Sequence, residues 1–135
     1  MIIYKEQKNI DIDQLFQLYQ SVGWSFYSKE VLSRAYQNAM YVFSAWDKDC
    51  LIGVIRVIGD GVTILYIQDL IVRQSYQRQK IATTLINYIL ERYAAVYQIV
   101  LLTDDQPSTV AFYEYIGMKR AEAYGCVSFV QFHRS

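Results

Sequence analysis

The sequence has little of what several classes of chemistry require. Its 135 residues contain a single histidine, His133, and two cysteines, Cys50 and Cys126. A lone histidine near the end of the chain gives no basis for a Ser-His-Asp set. The two cysteines lack the spacing of a metal site, so no bound metal is expected. We interpret them as free thiols in a reducing cytoplasm rather than as a disulfide.

Excess charge and long apolar runs are also missing. The 13 basic residues balance the 13 acidic residues, and no long basic run occurs. Binding to nucleic acid or to a membrane surface through charge alone is therefore not expected. No apolar stretch reaches the roughly 18 residues that a membrane-spanning helix needs. Hydrophobic residues still make up 53 % of the chain, which predicts one folded domain over residues 1–135.

The most informative stretch covers residues 63–93. It begins with a nearly unbroken apolar run, 64–72, which is typical of a strand covered on both faces. After a polar stretch, apolar residues recur every four positions, as on one face of a helix, at Ile81, Leu85, Ile89 and Tyr93. A second apolar strand at 97–102 follows. This order predicts parallel strands joined by a right-handed crossover.

Other elements are predicted before this unit. Asp11 or Asp13 can cap a first amphipathic helix, and Ser28 can cap a second. Two strands, at 41–46 and 51–58, form an antiparallel hairpin ahead of the central strand.

Further elements are predicted after the crossover unit. A last helix begins at Pro107 and ends at Gly117. Short strands are predicted at 118–121 and 127–132. The chain is thus expected to be α/β, with a mixed central sheet of about six to seven strands flanked by about four helices.

The polar loop before the crossover helix is a candidate anion site. A helix N-terminus offers unpaired N–H groups and the positive end of the helix dipole. Arg73, Arg78 and Lys80 add three cations. A solvated basic turn would have the same composition, so the loop alone leaves both interpretations open.

Two stretches resemble motifs of the GNAT superfamily of N-acetyltransferases. The first, 77–82, is similar to the family's pyrophosphate loop, Gln/Arg-x-x-Gly-x-Gly/Ala after a strand that ends in Val. Gln77 and Ala82 match, whereas Arg78 and Lys80 stand where that family has glycine. The second, 111–118, is similar to the family's Ala-x-x-Phe-Tyr-Glu-x-x-Gly-Phe. With the order of elements, the resemblance covers essentially the whole chain and implies the GNAT fold of small bacterial members.

The resemblance implies transfer of an acetyl group from acetyl-CoA, as co-substrate, to a primary amine of a small molecule or peptide. On this interpretation the pantetheine arm pairs with backbone groups of Leu70, Ile71 and Val72, and Gln106 can add a hydrogen bond. The pyrophosphate is expected to contact the loop residues Gln77, Arg78, Gln79, Lys80, Ile81 and Ala82. A catalytically impaired GNAT-fold domain, serving as a CoA-binding or assembly module, is the alternative because the loop glycines are missing.

Two residues are candidates for catalysis. Tyr113 matches the family tyrosine that lies near the thioester sulfur, and a phenol that is protonated at neutral pH can protonate the leaving thiolate. A half-buried helix aromatic is the other interpretation of Tyr113. Asp69 is a carboxylate in an otherwise apolar strand, so it is either partnered or functional, and it is a candidate for the base. Asp104 and Asp105 follow the neighbouring strand and can equally be a loop or a helix-capping pair. Many members of the superfamily use water relays instead of a single base, so the role stays open.

The acceptor pocket and the assembly are less defined. Trp24, Phe26 and Tyr27 form an aromatic loop that either fills the core or lines a pocket for the acceptor. The predicted strand at 127–132 can lie at the edge of the sheet, where a partner would cover it. We therefore predict a homodimer.

Overall fold

The computed structural model describes residues 1–133, and the chain divides into a first compact unit, residues 1–102, and a second that begins at Thr103. The single-domain organisation stays a prediction. The elements of the first unit are β1 (Ile2–Glu6), α1 (Ile12–Ser21), α2 (Lys29–Gln37), β2 (Tyr41–Asp47), β3 (Cys50–Gly59), β4 (Ile64–Val72), a 3₁₀ turn (Gln74–Tyr76), α3 (Ile81–Arg92) and β5 (Gln98–Leu101).

The first unit is built on one five-stranded sheet whose strands lie in chain order, β1 to β5. The strands from β1 to β4 pair antiparallel with their neighbours, and β4 pairs parallel with β5. Helix α3 connects these two parallel strands, as predicted from the strand, helix and strand patterns that follow one another in residues 63–102. The α/β fold class and the mixed sheet are therefore confirmed.

Capping and apolar spacing account for the first two helices. The side chain of Asp11 accepts a hydrogen bond from the Gln14 N–H at the start of α1, and Ser28 accepts one from the Val31 N–H at the start of α2. Each helix then presents one apolar face, and its buried residues are Leu15, Leu18 and Tyr19 in α1 and Leu32 and Tyr36 in α2.

The sheet is covered on both faces in the middle of the unit. Leu51, Val54 and Ile71 join the α1 and α2 side chains in one buried cluster. On the opposite face, α3 packs so closely that a Cβ at Gly53 would lie 3.3 Å from Ile81 and Leu85. Covering both faces explains why β3 and β4 are apolar almost throughout.

The second unit contains α4 (Pro107–Ile116) and a 3₁₀ turn (Ala121–Tyr124). Pro107 starts α4 and Gly117, with φ of 107°, ends it, both as predicted. The strands predicted at 118–121 and 127–132 are wrong, because a strand requires a paired neighbour and residues 118–133 form no such ladder. Within the described residues the sheet consequently has five strands, not six or seven.

No helix within residues 1–133 combines the length and apolar character needed to cross a membrane.

Candidate active site

The site begins where β4 and β5 separate. Their parallel pairing runs from Ile64 opposite Gln98 to Ile67 opposite Leu101 and stops there. The pairing of β4 with β3 shifts register at the same place, because Arg56 faces Asp69 whereas Val57 faces Ile67. Gln68 is thus an extra residue, a β-bulge, and β4 continues to Val72 without β5 beside it.

Along this last part of β4, the backbone N–H and C=O groups of successive residues point alternately to β3 and to the open edge. The Arg73 N–H donates to the Ile52 carbonyl oxygen at 2.8 Å. Since hydrogen-bonded pairs alternate along an antiparallel ladder, Ile71 also directs its backbone groups to β3. Leu70 and Val72 therefore direct theirs to the edge that β5 has left. Of these, the Val72 carbonyl oxygen accepts a hydrogen bond from the Gln77 side chain at 3.1 Å.

The loop after β4 presents a row of backbone donors. The N–H groups of residues 78–82 donate no hydrogen bond within residues 1–133. Arg78 and Lys80 have φ of 71° and 63°, in the left-handed region that favours glycine. Lys80 is also the N-cap of α3, and its side chain makes no capping bond. Successive N–H groups in such a turn, at a helix N-terminus, are suited to an anion.

Asp69 lies in a buried polar network rather than in solvent. Its side chain is 3 % exposed, and its Oδ2 atom accepts hydrogen bonds from Arg56 Nε at 2.9 Å and from the Tyr19 hydroxyl at 2.6 Å. Arg56 Nη2 also lies 2.8 Å from this oxygen. The Tyr19 and Tyr36 hydroxyls are 2.8 Å apart, and burial, with the nearby Asp69 charge, raises the pKa of both phenols. Asp69 is therefore partnered, and its partners come from β3 and α1.

The aromatic loop after α1 packs on this network. Trp24 and Tyr27 are half-buried, and each meets the Tyr19 ring edge-on, with centroids 6.1 and 6.2 Å apart. Phe26 is more exposed and stacks on Trp24. The structure thus brings Trp24 and Tyr27 to Asp69 through one shared tyrosine. They act as part of the core, while Phe26 faces outward.

The remaining predicted site residues belong to the second unit. Tyr113 is a half-buried residue of α4, and its ring meets that of Phe112 edge-on at 5.1 Å. Burial raises the pKa of its phenol, and the Asp104 carboxylate adds to the rise, so the hydroxyl keeps its proton at neutral pH. Gln106 is the exposed N-cap of α4, and its side chain makes no capping bond.

Comparison with known proteins decides the family. A family model described as an acetyltransferase (GNAT) domain matches residues 6–134. This chain belongs to the GNAT family. An acetyltransferase of that family from Streptococcus pneumoniae is 33 % identical, with a TM-score of 0.88 over 100 % of both chains. A Staphylococcus aureus protein described as a probable acetyltransferase is 25 % identical, with a TM-score of 0.82 over 98 % of this chain and 100 % of that one.

A curated relative extends beyond this chain. The Prochlorococcus marinus protein named "Uncharacterized N-acetyltransferase ycf52-like" is 29 % identical in an alignment over 118 residues that covers 83 % of this chain and 64 % of that protein. This GNAT chain therefore spans less than two thirds of that relative's length.

Sequence reasoning missed two features of this GNAT domain. It did not predict the bulge at Gln68 or the end of the β4–β5 pairing, since neither leaves a mark in an apolar run. It also did not name Arg56 and Tyr19 as the partners of Asp69. Arg56 carried a signal, because it is the one cation within the apolar strand 51–58.

Proposed function

We propose that this GNAT domain transfers an acetyl group from acetyl-CoA to a primary amine. The observation that carries the proposal is the open edge of β4 beyond Ile67, which ends next to the unpaired N–H groups of residues 78–82. An extended chain with one end rich in phosphate fits such an arrangement, because its amides can continue the sheet and its phosphates can meet the loop.

The pantetheine arm is proposed to pair with Leu70 and Val72, whose backbone groups face the open edge. Ile71 directs its backbone to β3, so it supports this edge without donating to the ligand. Gln77 contributes by holding the Val72 carbonyl rather than by touching phosphate. Gln106 remains a proposed hydrogen-bond partner of the pantetheine arm.

The diphosphate is proposed to accept hydrogen bonds from the N–H groups of residues 78–82, with help from the Arg78 and Lys80 side chains. Reversing either charge, as Arg78→Glu or Lys80→Glu, should weaken CoA binding by about 1–3 kcal/mol in calorimetry. Arg34→Glu is the matched control, because Arg34 is exposed on α2, forms no ion pair within residues 1–133, and should leave the affinity unchanged. Equal affinity in all three variants would remove these side chains from the site.

Proton transfer is proposed to use Tyr113 and Asp69. Tyr113 would donate its proton to the thiolate of CoA as the thioester carbon–sulfur bond breaks. Asp69 is buried, so a proton from the amine would reach it only through hydroxyl groups such as those of Tyr19 and Tyr36. Tyr19→Phe interrupts that path and leaves the Arg56–Asp69 pair in place. Turnover equal to that of the parent protein would exclude Asp69 as the base.

The proposed function is tested by a thermal unfolding measurement and by an assay of acetyl-CoA turnover. Acetyl-CoA should raise the melting temperature, because a ligand that binds the folded state stabilises it. Acetyl-CoA should also be consumed with one of a panel of amines, polyamines, aminoglycosides and peptide N-termini. Stabilisation without consumption of acetyl-CoA by any amine would favour the alternative, a domain that binds CoA without turnover.

A homodimer in the cytoplasm completes the proposal. Three apolar side chains of the C-terminal segment, Val127, Phe129 and Val130, are 67 %, 94 % and 50 % exposed. Exposed apolar side chains in a row are typical of a surface that a partner covers. Sedimentation at micromolar concentration that shows only a monomer would contradict the dimer.

A further inference from the structure

An open cavity lies between the end of α1 and the residues that follow β4. Its volume is about 450 Å³, and its lining residues are Ser21, Arg73, Gln74 and Ser75. These side chains supply two hydroxyls, one amide and one guanidinium, and no carboxylate is among them. The cavity precedes the loop 77–82 in the chain. Of its lining residues, the sequence indicates Arg73 alone, as one of the three cations of the candidate anion site.

Hydrogen bonds hold the backbone N–H and the Nε of Arg73, while its guanidinium forms no ion pair within residues 1–133. Its backbone N–H donates to Ile52 and its Nε donates to the Leu51 carbonyl oxygen at 2.9 Å. A guanidinium has five N–H donors, so the four on its terminal nitrogens remain for another partner. The ion pairs within residues 1–133 are Lys29–Asp13, Arg56–Asp69, Arg92–Glu6 and Arg120–Asp105, and Arg73 is in none of them.

Of the other three lining side chains, one already donates a hydrogen bond within the protein and two do not. The Ser21 hydroxyl donates to the Leu18 carbonyl oxygen at 2.6 Å, so its proton is used within α1. The Gln74 and Ser75 side chains make no hydrogen bond within the described part of the chain. The cavity therefore offers the guanidinium fork, one amide N–H₂ and one hydroxyl as donors.

We infer that this cavity binds an anionic group, a carboxylate or a phosphate, through the terminal nitrogens of Arg73. A guanidinium held by its Nε presents two parallel N–H groups, the geometry in which arginine binds such groups bidentately. The inference rests on the proposed function, and it specifies that the acceptor or the cofactor places an anionic group in this cavity. Either the acceptor amine also carries an anionic group, or the cavity receives the 3′-phosphate of CoA, which lies apart from the diphosphate.

Phosphate titration tests the cavity. Inorganic phosphate is titrated by calorimetry, at constant ionic strength, into protein saturated with CoA and into protein saturated with 3′-dephospho-CoA. The variants are Arg73→Gln, which removes the fork, and Ser21→Asp, which places a carboxylate at the cavity while leaving Arg73 and its bonds intact. Arg34→Gln, which removes an exposed charge on α2, is the control.

In the dephospho-CoA complex, both cavity variants should weaken phosphate binding at least tenfold, and the control should not. If the parent protein still binds phosphate when saturated with CoA, the anion belongs to the acceptor. If CoA, but not dephospho-CoA, prevents phosphate binding, the 3′-phosphate occupies the cavity. Ser21→Asp keeps the test decisive if Arg73→Gln does not fold.

Two results would overturn the inference: equal phosphate affinity in all four proteins, or no phosphate binding to the dephospho-CoA complex. Failure of the proposed function is a separate outcome, in which neither CoA nor dephospho-CoA binds. The titration is then made on the free proteins. Phosphate that binds at the loop 77–82 should have the same affinity in every free variant. A tenfold difference in affinity between the cavity variants and the control therefore still decides whether the cavity binds phosphate.

Discussion

Glycine at positions 78 and 80 should stabilise this protein. Arg78 and Lys80 have left-handed backbone angles, which cost a residue with a Cβ about 1–2 kcal/mol. Glycine removes that cost but loses roughly 0.5–1 kcal/mol through the greater freedom of the unfolded chain. Each substitution should therefore add about 0.5–1 kcal/mol to the free energy of unfolding. The double variant should gain roughly 1.5 kcal/mol, and its melting temperature should rise by about 5 °C.

The chain offers a control between the two positions. Gln79 does not have a positive φ, so Gln79→Gly should lower the free energy of unfolding by roughly 0.5–1 kcal/mol. Arg78→Ala and Lys80→Ala remove the charges but keep the Cβ, so the difference between glycine and alanine reports the backbone alone. Urea unfolding measures all five single variants. If Gln79→Gly and the two other glycine variants change stability in the same direction, the backbone reasoning is refuted.

Three further predictions concern the network, the β3–β4 turn and catalysis. Asp69→Asn leaves the Arg56 charge buried without a counter-ion and should cost about 3–5 kcal/mol in urea unfolding; Tyr19→Phe keeps the pair and should cost about 1–3 kcal/mol. Hydrogen bonds from the Thr63 hydroxyl, and from the backbone N–H groups of Val62, Ile64 and Thr63, lower the pKa of Asp60. The stability from this carboxylate should be complete above the unfolded pKa of about 4 and fall as the pH drops through the lowered folded pKa. The stability difference between the parent and Asp60→Asn should therefore shrink from pH 6 to pH 3, and a constant difference would contradict this assignment. Tyr113→Phe should lower turnover roughly 10²–10⁴-fold while CoA affinity stays the same; turnover at the parental rate would point to Tyr115 or to a water molecule.

Local patterns predicted the elements that depend on local physics. Asp11 and Ser28 cap the first two helices, and Pro107 and Gly117 bound the last one, because caps and helix ends are decided by a few neighbouring residues. The segment 127–132 has the composition of a strand but forms none, because a strand also needs a partner that composition does not supply.

Much of the candidate site depends on register, which local patterns do not reveal. The bulge at Gln68 and the end of pairing at Ile67 together free one edge of β4, yet both lie inside an apolar run that reads as an uninterrupted strand. Asp69 was recognisable as an exception in that run. Its role could not be predicted, since Arg56 and Tyr19 reach it from other elements.

The basic residues around the loop are best understood from the backbone they occupy. Glycine at positions 78 and 80 would adopt the same left-handed turn without strain, so Arg78 and Lys80 are costly unless their charges are used. Arg73 adds a third cation nearby that no carboxylate within residues 1–133 neutralises. In a chain whose formal net charge is +0, such a local excess favours a ligand with several negative charges. Backbone N–H groups alone would suffice to bind a single phosphate. The backbone strain at Arg78 and Lys80 is offset only if their side-chain charges contact further anionic groups of the ligand.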